Sequence, residues 1–434
     1  MQPIVLRFVY SRHFIFRLTN LLLLASFVAA ASPNAMSADE WTRFRGPNGQ
    51  GICTDIDLPA TWTASDYRWQ VDPPGRGHGS PVIYEGRVYV SSADPDDGRQ
   101  FLECYRLTDG RRLWQRILPG EVYHVHDFNS LASSTPAVDE QHVYYSWATP
   151  EHLRLKAVDR LTGEDAWEVD LGPYVSQHGY GQSPMLFEDL VILPNEQDGT
   201  SFVVACDRKT GEIRWKTPRK SVKAAYATPC LYQPKEADPQ LICASWAHGV
   251  YALNPRTGKV LWELPVFKFR VVSSPVLAGA LVFQNTGVGG TGRQLIGVRI
   301  PTSENDEPEL VYDLKGSLPN VPTLLAKDGL LYIFADNGIA TCFDIEKGTI
   351  VWRERLDAEF FSSPICVNGK IYIMSRSGEM VVLAEGREFH ELGRVDLGEG
   401  GNSTPAVAEG VMVLRTLSHM MLLPGKLLTS PDTL

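Results

Sequence analysis

The sequence predicts an all-β fold: an eight-bladed β-propeller of four-stranded antiparallel blades, with N- and C-terminal strands sharing one blade. Three observations predict it. Proline recurs at Pro81, Pro136, Pro184, Pro229, Pro275, Pro322, Pro364 and Pro405, in steps of 41 to 55 residues. Each proline opens a run of short alternating apolar segments with no helical period between them. Most repeats end in a glycine turn followed by a tryptophan: Trp114, Trp167, Trp215, Trp262 and Trp352. Eight such units of this length mean a closed propeller.

The chain begins with a predicted signal peptide, residues 1–31. Arg7, Arg12 and Arg17 form its basic region, and residues 21–31 are an apolar stretch too short to span a bilayer. Cleavage is expected at Ala29-Ala30-Ala31 or at Ala35-Met36-Ser37. No cysteine precedes Cys53, so no lipid anchor is expected, nor any membrane span after cleavage. Residues 32–66 read as a leader, 67–424 as the propeller and 425–434 as a tail. Losing residues 1–31 removes three arginines and no acid, moving the net charge from −10 to −13. That acidity excludes general nucleic-acid binding.

Each repeat marker has a mechanical reason. Proline lacks an N–H and suits the first residue of an inner strand. Thr162-Gly163, Thr210-Gly211 and Thr257-Gly258 supply the positive φ of a tight hairpin. Asp159, Asn254, Asp207 and Asp344 sit four residues before a turn glycine, placed to accept turn amides. The tryptophans fall on outer strands, where each can wedge between blades and bury ~200 Å². The fifth repeat replaces its turn with residues 301–308 and carries Tyr312 for tryptophan. The seventh passes through Glu385-Gly386-Arg387 and ends at Leu392. Longer hairpins are expected in both.

The last repeat stops after three strands. Trp69 lies 12 residues before Pro81, as Trp352 does before Pro364, so residues 67–71 are expected to supply the missing outer strand. Sharing a blade between termini removes open sheet edges. Seven cysteines is an odd number, so at least one is expected to stay unpaired. Cys104 and Cys342, six residues before the turn glycines Gly110 and Gly348, read as small core residues, and a Cys230–Cys243 disulfide is an option on successive strands. Asp94-Pro95-Asp96-Asp97-Gly98 reads as a solvated turn, and Val288-Gly289-Gly290-Thr291-Gly292 as a flexible one.

Gly79-Ser80-Pro81-Val82, Gly86-Arg87-Val88-Tyr89-Val90 and the run from Tyr251-Ala252-Leu253-Asn254 to Thr257-Gly258 and Trp262 carry a resemblance. The repeat, over residues 69–423, resembles the pyrroloquinoline-quinone (PQQ)-like, BamB-like propeller family. The run from Trp41 to Gly51 resembles the leader of exported quinoprotein-like propellers of planctomycete-type bacteria. The eight-blade count resembles the BamB-type outer-membrane assembly scaffold. The resemblance implies either a quinone-dependent dehydrogenase or a scaffold. Dehydrogenases of this type use a vicinal Cys-Cys ring, carboxylate and amide calcium ligands and an aspartate base; no Cys-Cys pair occurs here.

Strand direction puts the loops between blades on one face and the Thr-Gly turns on the other. On the first face three consecutive loops carry His78, then His124 and His126 with Asp127, then His178 followed by Tyr180. These are residue types for ligand binding, and His124, His126 and His178 are the metal-ligand candidates. Across the ring, Lys220, Lys223, Lys268 and Arg270 would make the mouth positive. Phe267, Phe269, Phe360 and Phe361 can stack on a sugar or pack under loops. The ligand-binding set is therefore His78, His124, His126, Asp127, His178, Tyr180, Lys223 and Arg270, with no catalytic residue assigned. The reading favours a periplasmic or otherwise exported, non-enzymatic binding scaffold for a protein or anionic glycan partner, without a cofactor. The rival is a divergent oxidoreductase using PQQ with calcium, or another metal.

Overall fold

The computed structural model describes residues 40–288, 292–303 and 305–428. The predicted signal peptide and most of the 288–292 turn lie outside the described residues.

Eight four-stranded antiparallel blades form the fold, and in blades 1 to 7 strand order follows the chain from the channel outward. Blade 1 comprises Val82–Tyr84, Arg87–Ala93, Gln100–Arg106 and Arg112–Leu118. Blades 2 to 7 begin at the inner strands Ala137–Val138, Met185–Phe187, Cys230–Tyr232, Val276–Ala278, Leu325–Lys327 and Ile365–Val367. Helix among the described residues is confined to two single-turn 3-10 segments, Pro47–Gly49 and Ala64–Asp66.

Blade 8 is the seam. Ala406–Ala408, Val411–Arg415 and Met420–Pro424 come from the C-terminal side, and Trp69–Val71 completes the sheet antiparallel to Met420–Pro424, with Trp69 opposite Leu422. The expected closure is present.

The tryptophans join the blades. The indole N–H of Trp69 donates to the Leu107 carbonyl at 2.8 Å, Trp114 to Arg160 at 3.0 Å, Trp167 to Arg208 at 2.9 Å and Trp215 to Pro255 at 3.0 Å. Each carbonyl belongs to the outer turn of the next blade. Gly163 shows why the turn needs glycine: its φ is 74°, and a Cβ there would lie 2.7 Å from the Trp114 ring. Trp262 departs from the series. It donates to Gln240 Oε1 at 2.7 Å, because the next blade has lost its glycine turn to the longer 300–308 connection.

Three details differ from the sequence reading. Pro322 stands two residues out of register. Thr323-Leu324-Leu325 occupies the place that Ser363-Pro364-Ile365 takes in the next blade, so Leu324 fills the proline position. In blade 7 Gly393, not Leu392, pairs where other blades have tryptophan, opposite Val382. The cysteines are all free and buried, and the Cα partner of Cys230 is Ile242, so no Cys230–Cys243 bridge forms. The Asp94 turn is tied by Arg99, which pairs with Asp94 at 3.1 Å and Asp97 at 2.6 Å.

The leader is part of the ring. Trp41 bridges Ile83 of blade 1, and the Thr42 carbonyl accepts from Val138 of blade 2. Asn48 exchanges bonds with Leu231 of blade 4, and Gln50 accepts from Leu277 of blade 5. Ile52–Cys53 then adds parallel to the inner strand of blade 7. Farther on, the Leu58 and Pro59 carbonyls accept the Tyr372 hydroxyl, and Thr61 packs over Gly393. The leader thus covers the place where blade 7 lacks its tryptophan. Ile56–Asp57 also pairs with Lys426–Leu427 of the tail.

Candidate functional site

The inner strands begin with a repeated Ser or Thr, and these residues form a circle. Seven of the eight junctions are bonded the same way: the amide of Ser80 donates to the Thr135 hydroxyl, Thr135 to Ser183, Thr228 to Ser274, Ser274 to Thr323, Thr323 to Ser363, Ser363 to Thr404 and Thr404 back to Ser80, all at 2.9–3.2 Å. Between blades 3 and 4 Gln182 Nε2 donates to the Ala225 carbonyl at 2.6 Å instead. The circle staples neighbouring blades at the channel wall. Each hydroxyl that accepts there keeps its own O–H to donate.

Directly beyond this circle the leader crosses the channel. Arg43 Nη2 donates to the Pro229 carbonyl at 2.5 Å; Arg45 Nη2 donates to the Leu324 and Pro364 carbonyls, each at 2.9 Å. Pro229, Leu324 and Pro364 are each the residue after a hydroxyl of the circle, so the guanidinium contacts lie one strand residue, ~3.3 Å, from it. Arg45 is fully buried, and burial lowers its pKa to about 9; burial likewise lowers Arg43 to about 10. Between them in sequence, Phe44 lines the cavity. The channel is therefore a cup, floored by Phe44 and the hydroxyl circle, with a volume of about 530 Å³.

The walls come from loops between blades and from turns between second and third strands. The loop from blade 1 to blade 2 reaches farthest. Its Phe128 ring meets Phe361, before blade 7, at 5.4 Å and 71°, and its carbonyl accepts from Asn402, before blade 8, at 3.3 Å. Asn129 of the same loop donates to the His178 carbonyl at 2.7 Å. The loop thus bridges the mouth. The 55-residue step from Pro81 to Pro136, the longest in the series, was the sequence signal for it. Arg376 is held between Phe128 and Phe361, with its guanidinium carbon 3.9 and 4.7 Å from the two ring centroids.

Of the predicted ligand-binding residues, His78, His126 and His178 line the cup. The His126 and His178 rings lie 4.7 Å apart, edge to face. His78 Nε2 is 3.3 Å from Asn402 Nδ2, and burial, with the nearby Arg415 charge, lowers its pKa to about 4. His124 and Asp127 are exposed and do not line the cup. Tyr180 is in the blade core: it is 2% exposed, packs against Tyr174 and donates to Ser146 at 2.8 Å. Lys223 pairs with Asp198 at 3.4 Å, and Arg270 is buried beside Gln177; neither reaches the cup. Phe361 lines the cavity, whereas Phe267 and Phe360 are buried in the core. Among the described residues no three His, Cys, Asp or Glu side chains gather to hold a metal ion. The geometry therefore gives a metal role for His124, His126 and His178 no support.

Sequence reasoning missed the charged part of the wall. Arg293 pairs with Asp336 at 2.8 Å, and Arg376 with Glu359 at 2.5 Å; all four line the cup. Asp336 also accepts the Asn320 and Val321 amides at 2.7 and 3.2 Å. Asp336-Asn337-Gly338 and Arg376-Ser377-Gly378 occupy the same turn in successive blades, and that shared register was the available signal.

The family model described as "Outer membrane protein assembly factor BamB" matches residues 151–307 and 313–427. The chain belongs to this BamB family. Among curated BamB proteins, that of Yersinia pestis is 23% identical over 277 residues, covering 60% of this chain and 66% of the relative. The chain thus matches just under two thirds of that relative's length. Among solved structures, BamB from Moraxella catarrhalis superposes with a TM-score of 0.60 at 13% identity, covering 82% of this chain and 95% of that one. A europium-containing methanol dehydrogenase superposes with a TM-score of 0.64 at 14% identity, covering 88% and 91%. At these identities the structural likeness shows the fold alone. It does raise the question of a quinone with its metal. In this cup the carboxylates that would have to face a metal or act as a base, Asp336 and Glu359, are each held by an arginine. The seven cysteines are buried and none lines the cavity. The residues present do not fit that group.

Proposed function

We propose that this BamB-family chain is an exported, non-enzymatic binding propeller, and that the cup is where it holds its ligand. The observation that carries the reading is the leader across the channel. It turns an open tunnel into a cavity with one mouth, and the charged groups on the wall are already paired with one another. A wall of that kind recognises a ligand by shape and hydrogen bonds, and its two carboxylates, Asp336 and Glu359, are each engaged by an arginine. The names of the family relatives, assembly factors, agree with a binding role.

The rival reading, a divergent quinoprotein, draws on the dehydrogenase neighbours. One experiment separates the two. The purified protein is incubated with PQQ and Ca²⁺ and assayed for dye-linked oxidation of primary alcohols and aldoses. No turnover and no saturable quinone binding is the expected result; steady turnover overturns the binding reading.

A further inference from the structure

The lysines and arginine that suggested an anionic ligand do not face the cup. The charges that do face it cancel: Arg293 with Asp336, and Arg376 with Glu359. His78 adds no charge near neutral pH, since burial and Arg415 hold it uncharged. Arg43 and Arg45 are unpaired cations, but they donate to backbone carbonyls and flank Phe44, the residue that meets the cavity.

What remains, beside the paired His126 and His178 rings, is a dense set of neutral hydrogen-bonding groups. The hydroxyl circle offers convergent O–H donors at the floor. Asn320 and Asn337 offer amides that both donate and accept around the wall, and Asn402, whose N–H groups face His78 and the Phe128 carbonyl, offers its side-chain oxygen. The two arginines, each fixed by its carboxylate and Arg376 also by the Phe128 and Phe361 rings, present planar N–H forks suited to neighbouring hydroxyl oxygens. Phe44 at the floor and Phe361 and Phe128 at the mouth supply apolar faces. Flat apolar faces alternating with paired donors and acceptors match a ring that carries C–H bonds on its faces and hydroxyls around its edge. A volume of about 530 Å³ lies within the range for small-ligand sites.

We infer that the cup takes an uncharged saccharide unit, seated with its edge hydroxyls among the wall amides and its faces against Phe44 and Phe361. This rests on the binding reading above and names its ligand class.

The test is a glycan array of neutral and acidic oligosaccharides probed with the purified protein, followed by calorimetric titration of the best binder. Neutral sugars should be enriched. Phe361→Ala should weaken the best of them about tenfold, the size of one lost aromatic face. Glu359→Gln, at an exposed carboxylate, leaves Arg376 unpaired and should shift preference toward acidic sugars while the fold is retained. Enrichment of acidic sugars by the unmodified protein would show that Arg43 and Arg45 govern the cup, and overturns the inference. So does the absence of any saturable sugar binding by protein with an undisturbed melting temperature. Neither result touches the non-enzymatic reading, which fails only on turnover.

Discussion

The Arg45 guanidinium donates to the Pro364 carbonyl at 2.9 Å, tying the leader to an inner strand 319 residues farther along the chain. The same group serves the Leu324 and Gly49 carbonyls, so one side chain joins blades 6 and 7 to the floor of the cup. A buried cation is costly unless its hydrogen bonds are made.

Arg45→Ala therefore should be severe. It leaves several buried carbonyls without donors and removes the anchor of the plug. A loss on the order of 3–5 kcal/mol is expected, read by denaturant unfolding. Arg45→Lys should recover part of it, because three ammonium donors can still reach some of the carbonyls. Equal stability of Arg45→Ala and the unmodified protein would mean that the leader is dispensable to the ring.

The seam makes a second expectation. Trp69 pairs with Leu422 and donates to Leu107, so it links the C-terminal strands of blade 8 to blade 1. Trp69→Ala should cost about 3–5 kcal/mol. Its signature should be local as well: amide exchange should rise most in residues 411–424, next to the opened edge. Uniform loss of protection across all blades would argue against a seam.

These two cases show what was legible in the sequence. Blade count and closure could be read because proline, turn glycine and tryptophan recur at positions fixed by local backbone and packing needs. Blade 6 slipped by two residues because Pro322 is a proline near the right place, while Leu324 fills the strand position without needing to be one. Three of the four loop histidines reached the cup because their loops leave consecutive blades on the same face. His124 did not, although it is only two residues from His126. Tyr180 went to the core because an apolar ring with one hydroxyl satisfied by Ser146 is well placed there. The floor was not legible at all. Arg43 and Arg45 act through a few bonds to carbonyls 186 to 319 residues away, and such bonds leave no periodic trace.

Stability should depend on pH through two buried groups of opposite sign. Burial raises the Glu196 pKa to about 7, partly offset by a hydrogen bond from Ser245 and the Arg219 charge. A raised acid binds its proton more tightly in the folded state. Its stabilising contribution is full below about 4.5 and is lost as pH rises through 7. Glu196→Gln stays neutral throughout, so it should raise the melting temperature by a few degrees at pH 8 and change little at pH 5. His78 runs the other way. Its folded pKa of about 4 lies below the ordinary 6.5, so its contribution is present above pH 6.5 and is lost as pH falls toward 4. His78→Gln should flatten the acid side of the melting profile. A Glu196→Gln variant less stable than the unmodified protein at pH 8 would contradict the assignment.

The bridge over the mouth gives the last expectation. Phe128 is 44% exposed, yet it touches Phe361, His126 and Arg376. An aromatic pair contributes about 0.5–1.5 kcal/mol and an exposed cation–π contact about 0.5–1 kcal/mol. Those contacts lie at the tip of the loop and outside the blade cores, so Phe128→Ala should leave the melting temperature within a degree or two. What should change is the loop. With the Phe128 ring gone, the loop is still held over the cup by the residue-128 carbonyl bond from Asn402, by His126, whose amide donates to the His178 carbonyl at 3.3 Å, and by the Asn129 bonds to His178 and Tyr180. Amide exchange in residues 120–130 should rise several-fold, and any cup ligand should enter and leave faster, with the larger change in the dissociation rate. Unchanged exchange in that loop would mean the bridge is held from its base, where the Ser130 hydroxyl accepts the His78 amide at 3.1 Å and the Ser133 hydroxyl donates to Asn129 Oδ1 at 2.5 Å, and that the Phe128 ring contributes nothing to it.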